Sequence, residues 1–372
     1  MKLERIQQDN LCCGCGTCVG ICPVGALRIE YGRQQFPIID HNKCVKCGKC
    51  YEVCPGKGYP LPLKYPLGTY QNLYYGHAKN LQIREKAASG GIATSILLHL
   101  LRTGIVQKVT AVLWDDSRPE ILLTDDISIV RRAAKSKYCY IPLNTLIPEI
   151  LRTDGKVAVV GTPCQVAGLK AAASMNAQLA RKIHVFIGLF CGYVQTYDSI
   201  SAIKQHAWQD EHCTFLGWRE SPYPGYLVCK KGKETRRMLI YDGLDVVVPF
   251  YTMNRCFLCE DGANELADMA LGDVHAHGKD ETLIISRTKK SEKLLQSMSG
   301  VRLTKKDPES EKQLQAIVKS KIIKPYNLNS FLRKKHPVPR FERKLPRSRY
   351  YTSTALLQYV LYRFCTRNLA FF

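Results

Sequence analysis

Two copies of one cysteine pattern constrain this chain more than any other feature. Cys12, Cys15, Cys18 and Cys22 stand at C-x2-C-x2-C-x3-C before Pro23, and Cys44, Cys47, Cys50 and Cys54 repeat the spacing before Pro55. Three cysteines two residues apart wrap a cuboidal iron–sulfur cluster in a tight loop, and the fourth points away to a second cluster. The pattern assigns Cys12, Cys15, Cys18 and Cys54 to one 4Fe–4S cluster, and Cys44, Cys47, Cys50 and Cys22 to another. Gly14, Gly16 and Gly48 let the loop backbone pass close to sulfide. Pro23 and Pro55 fix the turn after each crossing cysteine.

The duplicated spacing is that of bacterial two-cluster ferredoxins. A pair of zinc sites is the competing reading, but zinc draws four ligands from two pairs, and here each motif offers four cysteines and a proline. Cys13 sits where an aliphatic residue is ordinary and reads as packing. Nine of the seventeen cysteines lie between Cys12 and Cys54, so the usage is local and not a chain-wide disulfide framework. Hydrophobic content of 45% and charged content of 23% are ordinary for a soluble globular protein. The first ten residues lack the apolar core of a signal peptide. No apolar run approaches the roughly 18–20 residues that span a bilayer. The expected location is cytoplasmic.

The expected fold class is α+β or α/β, in three parts. Residues 1–60 form a two-cluster ferredoxin-type domain. A breaker-rich linker runs from Pro55 to Gly68. Residues 68–300 form a mixed-sheet body, and residues 301–372 a basic extension. Within the body, Gly91–Thr103 predicts a helix, with Ile92, Ile96 and Leu100 at helical spacing. Val109–Trp114, Lys156–Val160, Lys182–Phe190, Ala267–Leu271 and Thr282–Ser286 predict strands, with a helix after Pro163 running to Ala173. Strands alternating with helices imply a largely parallel or mixed sheet.

Three further segments carry cysteines in a shared context. Cys164 follows one predicted strand, Cys191 follows another, and Cys256 and Cys259 form a C-x2-C. Two strand ends and a tight loop converge if the strands are parallel, because open α/β sheets build sites at the carboxyl ends of their strands. Four thiolates so placed suit a third 4Fe–4S cluster. A structural zinc or unrelated buried thiols are the alternatives. Cys139, Cys213, Cys229 and Cys365 read as isolated packing or surface thiols. Ser89-Gly90-Gly91 precedes a helix, where two glycines and a helix N-terminus favour a phosphate; a plain helix cap is the commoner use. Ser136-Lys137-Tyr138 adds a hydroxyl, a cation and an aromatic ring. Gly161-Thr162-Pro163 and Gly272-Asp273 are turns at strand ends.

Taken in order, these pieces resemble the beta subunits of coenzyme F420-reducing hydrogenase and F420-linked dehydrogenases. The resemblance rests on Arg84 through Ser89-Gly90-Gly91, Ser136-Lys137-Tyr138, Gly161-Thr162-Pro163-Cys164-Gln165, Leu189-Phe190-Cys191, Cys256-Phe257-Leu258-Cys259, Ala267-Asp268 and Gly272-Asp273. It covers roughly Gly68 to Ser297, with the ferredoxin motifs fused in front. It implies a flavin, FAD, beside a 4Fe–4S cluster held by Cys164, Cys191, Cys256 and Cys259. The flavin contacts would come from Ser89, Gly90, Gly91, Ser136, Lys137, Tyr138, Gly161, Thr162, Pro163, Gln165, Gly272 and Asp273, with Lys137 offered to its phosphate or reduced ring. Cys139 and Val274-His275 depart from the family pattern near the pocket, so the substrate does not carry over.

The function so implied is an iron–sulfur flavoprotein oxidoreductase. It would pass electrons between a ferredoxin-type partner and a two-electron substrate such as coenzyme F420. The rivals are a reductase of a sugar, polysaccharide or tetrapyrrole intermediate, and a non-catalytic electron-transfer subunit of a larger redox complex. No catalytic acid or base is identified. The formal charge of +22 falls to about +16 once twelve thiolates and three cluster cores are counted. From Arg287 to Phe372 there are 21 Lys and Arg against 5 Asp and Glu. That tail reads as a dock for an acidic redox protein, as a contact with the inner membrane surface, or as a solvated extension. No nucleic-acid module accompanies the charge, so nucleic acid is not an expected partner.

Overall fold

The computed structural model describes residues 2–30, 37–58, 67–115, 118–273, 280–305, 311–312 and 315. Most of the linker, Val274-His275, Cys365 and the basic tail lie outside the described residues.

The N-terminal module shows its duplication in backbone geometry. Strands β1 (Leu27–Ile29) and β2 (Pro37–Ile39) pair antiparallel. Two short helices, Thr17–Gly20 and Lys49–Glu52, each begin after a left-handed glycine: Gly16 at φ 83 and Gly48 at φ 77. Two residues earlier, Gly14 (φ 64) and Lys46 (φ 55) again share the left-handed region. One loop therefore occurs twice with the same turns. Lys46 holds a conformation that L-residues adopt at a cost of about 1–2 kcal/mol.

The body is an eight-stranded sheet. Its strands are β3 (Asn72–Ala78), β4 (Lys108–Asp115), β5 (Arg118–Thr124), β6 (Val157–Gly161), β7 (Ile183–Leu189), and then β11 (Met269–Gly272), β12 (Thr282–Ser286) and β13 (Val301–Lys305). The order is β13-β3-β12-β11-β7-β6-β4-β5. Strands β4, β6, β7 and β11 run parallel at the centre, and antiparallel strands flank them. The central strands are near-continuous apolar runs because helices or loops cover both faces. Helix Ile92–Arg102 buries Ile92, Ile96 and Leu100 against Val109, Ala158, Val185 and Ile284. The mixed sheet and the predicted strands stand as read. Strands β3, β5 and β13 escaped sequence reading, and β13 lies beyond the boundary at residue 300. A separate three-stranded sheet, β8 (Thr214–Glu220), β9 (Tyr226–Lys231) and β10 (Glu234–Leu239), was also not foreseen. It packs an aromatic cluster of Trp208, Phe215, Trp218, Tyr197 and Tyr140.

The N-terminal module is bolted to the body near its first cysteine loop. The Asn144 backbone N–H donates to the Cys15 carbonyl at 3.0 Å. Its side-chain Nδ2 donates to Thr17 Oγ1 at 2.7 Å and to the Gln165 carbonyl at 2.9 Å. Asn144 is fully buried, so these bonds replace water it has lost. Gly20 and Gly168 permit the close approach: a Cβ on Gly20 would collide with the Asn144 carbonyl oxygen, and one on Gly168 with Thr17 Oγ1. Gly20→Ala is expected to destabilise the protein by about 1–3 kcal/mol, read by thermal unfolding. Gly300→Ala, with no atom near its Cβ, should leave the melting temperature within a degree or two.

Candidate functional site

Three cysteine sets gather at three places. Cys12, Cys15, Cys18 and Cys54 line a narrow cavity of about 20 Å³. Cys22, Cys44, Cys47 and Cys50 line a wider one of about 320 Å³. Each cavity takes three cysteines from one loop and the fourth from the other. The volumes differ because the first cage is roofed by the body, with Cys15 and Cys18 buried, while Cys47 of the second is exposed. Leu3, 2% exposed, lines both cages and separates them.

The donor chemistry of the first cage suits iron. Burial and the neighbouring Cys54 and Cys164 sulfurs push the Cys12 thiol up to about 12. Burial and the Cys15, Cys12 and Cys54 sulfurs drive Cys18 well above its ordinary value. Four buried thiolates repel one another unless a cationic core neutralises them. The Gly14 N–H donates to Cys12 Sγ at 3.4 Å and the Ala26 N–H to Cys22 Sγ at 3.3 Å, the kind of backbone support that sulfur ligands receive.

The third set is assembled by the parallel sheet. Gly161 at the end of β6 is in register with Gly188 of β7, so Cys164 and Cys191 leave the sheet at one edge. The loop after Cys259 returns across both ends. There Asn264, wholly buried at φ 56, donates from Nδ2 to the Gly161 carbonyl (2.9 Å) and the Leu189 carbonyl (3.2 Å). Gly188 lies under the Asn264 side chain, where a Cβ would clash. Cys259 Sγ faces the Asp261 carbonyl at 3.6 Å. Burial, then Cys191, Cys259 and Cys164, push the Cys256 thiol up, which places all four sulfurs within electrostatic range of one another.

A cavity of about 300 Å³ adjoins this set, and Cys164 and Cys191 form part of its wall. Ser89, Gly91, Ser136, Lys137 and Tyr138 line it, as do Gly161, Thr162, Gln165, Gly272 and Asp273. Gly90 instead packs on β3, where a Cβ would strike the Gly76 carbonyl oxygen. Pro163 opens helix Pro163–Met175. The N-terminus of helix Ile92–Arg102 faces the cavity through Gly91, Ile92 and Ala93. Apolar Leu97, Val130, Val160 and Leu189 supply walls for a planar ring. Backbone N–H groups at one end and apolar walls beside them fit a phosphorylated aromatic cofactor such as a flavin.

Several motif residues turn out to hold the frame. Gln165 Oε1 accepts from the Thr162 N–H at 2.7 Å, and its Nε2 donates to the Ile141 carbonyl at 2.7 Å. Lys137 Nζ donates to the carbonyls of Ala133, Ala134 and Lys135 at 2.6, 2.9 and 3.1 Å. Those bonds engage its three donors, so the phosphate role read from sequence is not the one this geometry gives it. Burial lowers the amine to about 7, while the carbonyls favour the charged form. Asp268 Oδ2 accepts from the Phe186 N–H at 2.8 Å, pinning β7. Cys139 points away into the aromatic core, its Sγ 3.7 Å from the Thr196 carbonyl. Cys213 and Cys229, read as isolated, hydrogen-bond each other in the three-stranded sheet.

Sequence reading missed Arg219. Its side chain, 3% exposed, reaches the cavity from β8 and pairs with Asp273 at 2.5 Å. It also donates to the Ala88 carbonyl at 2.8 Å and stands 3.5 Å from the Tyr138 hydroxyl. No motif surrounds it. Asn264 carried no signal either, beyond asparagine's tolerance of the left-handed region.

Comparison with known proteins agrees with this layout. Residues 73–148 match the N-terminal part, and residues 154–311 the C-terminal part, of the family described as coenzyme F420 hydrogenase/dehydrogenase, beta subunit. The chain belongs to this family. A 4Fe-4S dicluster domain matches residues 11–58. The coenzyme F420-dependent sulfite reductase of Methanocaldococcus jannaschii is 28% identical over 312 residues, covering 79% of this chain and 47% of that protein. The chain therefore spans about half the length of that relative. The coenzyme F420 hydrogenase subunit beta of Methanothermobacter thermautotrophicus is 26% identical over 245 residues, 62% of this chain and 81% of that subunit. A chain of the F420-reducing [NiFe] hydrogenase complex from Methanosarcina barkeri superposes with a TM-score of 0.61 at 19% identity, covering 74% of this chain and 97% of that one. That likeness establishes the shared fold of this beta-subunit-type chain.

Asn264 generates a prediction. Asn264→Ala removes both bonds to the strand ends and is expected to lower the iron content by about four atoms per chain. The N-terminal clusters should remain, as read by iron analysis and EPR of the reduced protein.

Proposed function

We propose that this chain is an iron–sulfur flavoprotein oxidoreductase that moves electrons between a one-electron protein partner and a two-electron substrate of the coenzyme F420 type. The observation that carries this reading is the continuity of the three sites. Leu3 separates the two N-terminal cages, and the first cage abuts the wall of the large cavity, which itself carries Cys164 and Cys191. A flavin bound in the cavity would exchange single electrons with clusters and electron pairs with a substrate. The chain's residues supply the rest. The start of helix Ile92–Arg102 offers backbone N–H groups to a phosphate. The buried Arg219–Asp273 pair sets the charge at the strand ends. Leu97, Val130 and Val160 keep water from the ring site. The hydrogenase subunit and hydrogenase complex among its relatives favour work as part of a larger redox assembly.

The deciding measurement is iron, acid-labile sulfide and flavin per chain on protein purified without oxygen. About twelve irons and one flavin are expected from three 4Fe–4S clusters. Eight irons without flavin would reduce the chain to a ferredoxin module on a body of another purpose.

The partner, in this proposal, is an acidic ferredoxin-like carrier that meets the second cage. Cys47 is exposed there, Val45 and Val24 are 60% and 43% exposed, and Lys43, Lys46 and Lys49 surround them. An apolar centre within a basic rim steers an acidic protein through charge. Reversing Lys43, Lys46 and Lys49 to Glu should slow reduction by an acidic ferredoxin at least tenfold at low salt. Reduction by dithionite and the EPR spectrum should be unchanged. Stopped-flow absorbance reads the rates.

A further inference from the structure

The second cysteine of the first loop does not belong to either ligand set, yet among the described residues it lines both the first cage and the large cavity. Cys13 follows Cys12 directly, and its thiol is hydrogen-bonded to the sulfur of Cys164. Its other sulfur contact is remote, 3.9 Å from the Leu11 carbonyl. Cys164 also lies within electrostatic range of Cys12 and Cys15, so the first and third cysteine sets approach each other here. Packing alone asks for an aliphatic side chain at this place. A thiol adds a weak donor aimed at a particular acceptor.

We propose that Cys13 is a positioning residue for electron transfer between the first and third clusters. Its S–H donates to the Cys164 sulfur, and the Cys12–Cys13 backbone joins that hydrogen bond to a ligand of the first cluster. The inference rests on the reading of Cys164 as a cluster ligand. Donors to a ligating sulfur favour the reduced, more negative state of its cluster. Cys13 therefore raises the potential of the third cluster, which draws the electron inward from the first. No bond is made or broken and no proton leaves the thiol. One electron passes from the first set to the third along a route whose single gap is the S–H···S contact.

The test compares Cys13→Ala and Cys13→Ser with the parent full-length chain, all purified without oxygen. The readouts are iron content and EPR-monitored redox titration. Cys13→Ala should keep about twelve irons and lower the potential of the third cluster. The expected size is about a tenfold change in its oxidised-to-reduced ratio at fixed ambient potential, equivalent to 59 mV for a one-electron centre. Cys13→Ser keeps a donor and should recover most of that shift. Twelve irons with an unmoved potential in Cys13→Ala would overturn the assignment, as would a serine variant indistinguishable from the alanine one. Eight irons in the parent chain would remove the third cluster, and with it both this assignment and the three-cluster reading.

Discussion

The structure depends on the parallel pairing of β6 with β7. That register delivers Cys164 and Cys191 to one edge of the sheet and opens the cavity beside them. In an antiparallel arrangement the two strand ends would point in opposite directions. Over five residues at about 3.3 Å each they would stand roughly 16 Å apart. No loop of the C-x2-C kind would then bridge them. Parallel pairing needs crossover connections, and helix Pro163–Met175 supplies the one between β6 and β7. The cysteine set is thus a by-product of sheet topology, and Asn264 closes it by bonding both strand ends at once.

The same edge receives the N-terminal module. Its contact is built from small residues and buried polar groups, with little of a hydrophobic interface. Glycines at 20 and 168 let backbone approach side chain, and Asn144 joins the Cys15 loop to the start of helix Pro163–Met175. Such contacts are directional. A polar group buried without its partner costs about 1–3 kcal/mol, so few alternative placements of the module are tolerated. Rigid placement matters here because two redox sites can exchange electrons efficiently only when their separation is fixed.

Much of this was legible in the sequence, and the unevenness has a physical cause. The two N-terminal cysteine sets follow from spacing, because a local loop around a cluster leaves its period in the chain. The strands bearing Cys164 and Cys191 were readable as apolar runs bounded by turns. Residues that act across the fold left no such period. Arg219 comes from a small sheet whose strands β8–β10 alternate weakly, and it meets Asp273 54 residues away. Asn264 is one polar residue in a loop. Lys137 shows the converse: a motif position with a cation invites a ligand role, yet its donors meet three consecutive carbonyls of its own turn. A short motif records that a side chain is needed, and only the fold says for what.

The three sites also differ in how wet they are, and that order bears on direction. Cys47 is exposed, Cys15 and Cys18 are buried, and the wall of the large cavity carries the buried Arg219 guanidinium. Solvent stabilises the extra negative charge of a reduced cluster, so burial by itself lowers a potential. An inward gradient therefore needs compensation from fixed positive charge and donors to sulfur. The chain places such groups in its interior: Arg255, 3% exposed, lies within electrostatic range of Cys13 and Cys54. Buried cations beside buried thiolates are costly unless both are present. Their joint presence marks the inner boundary as the place where the protein, and not the solvent, sets the energy of the electron.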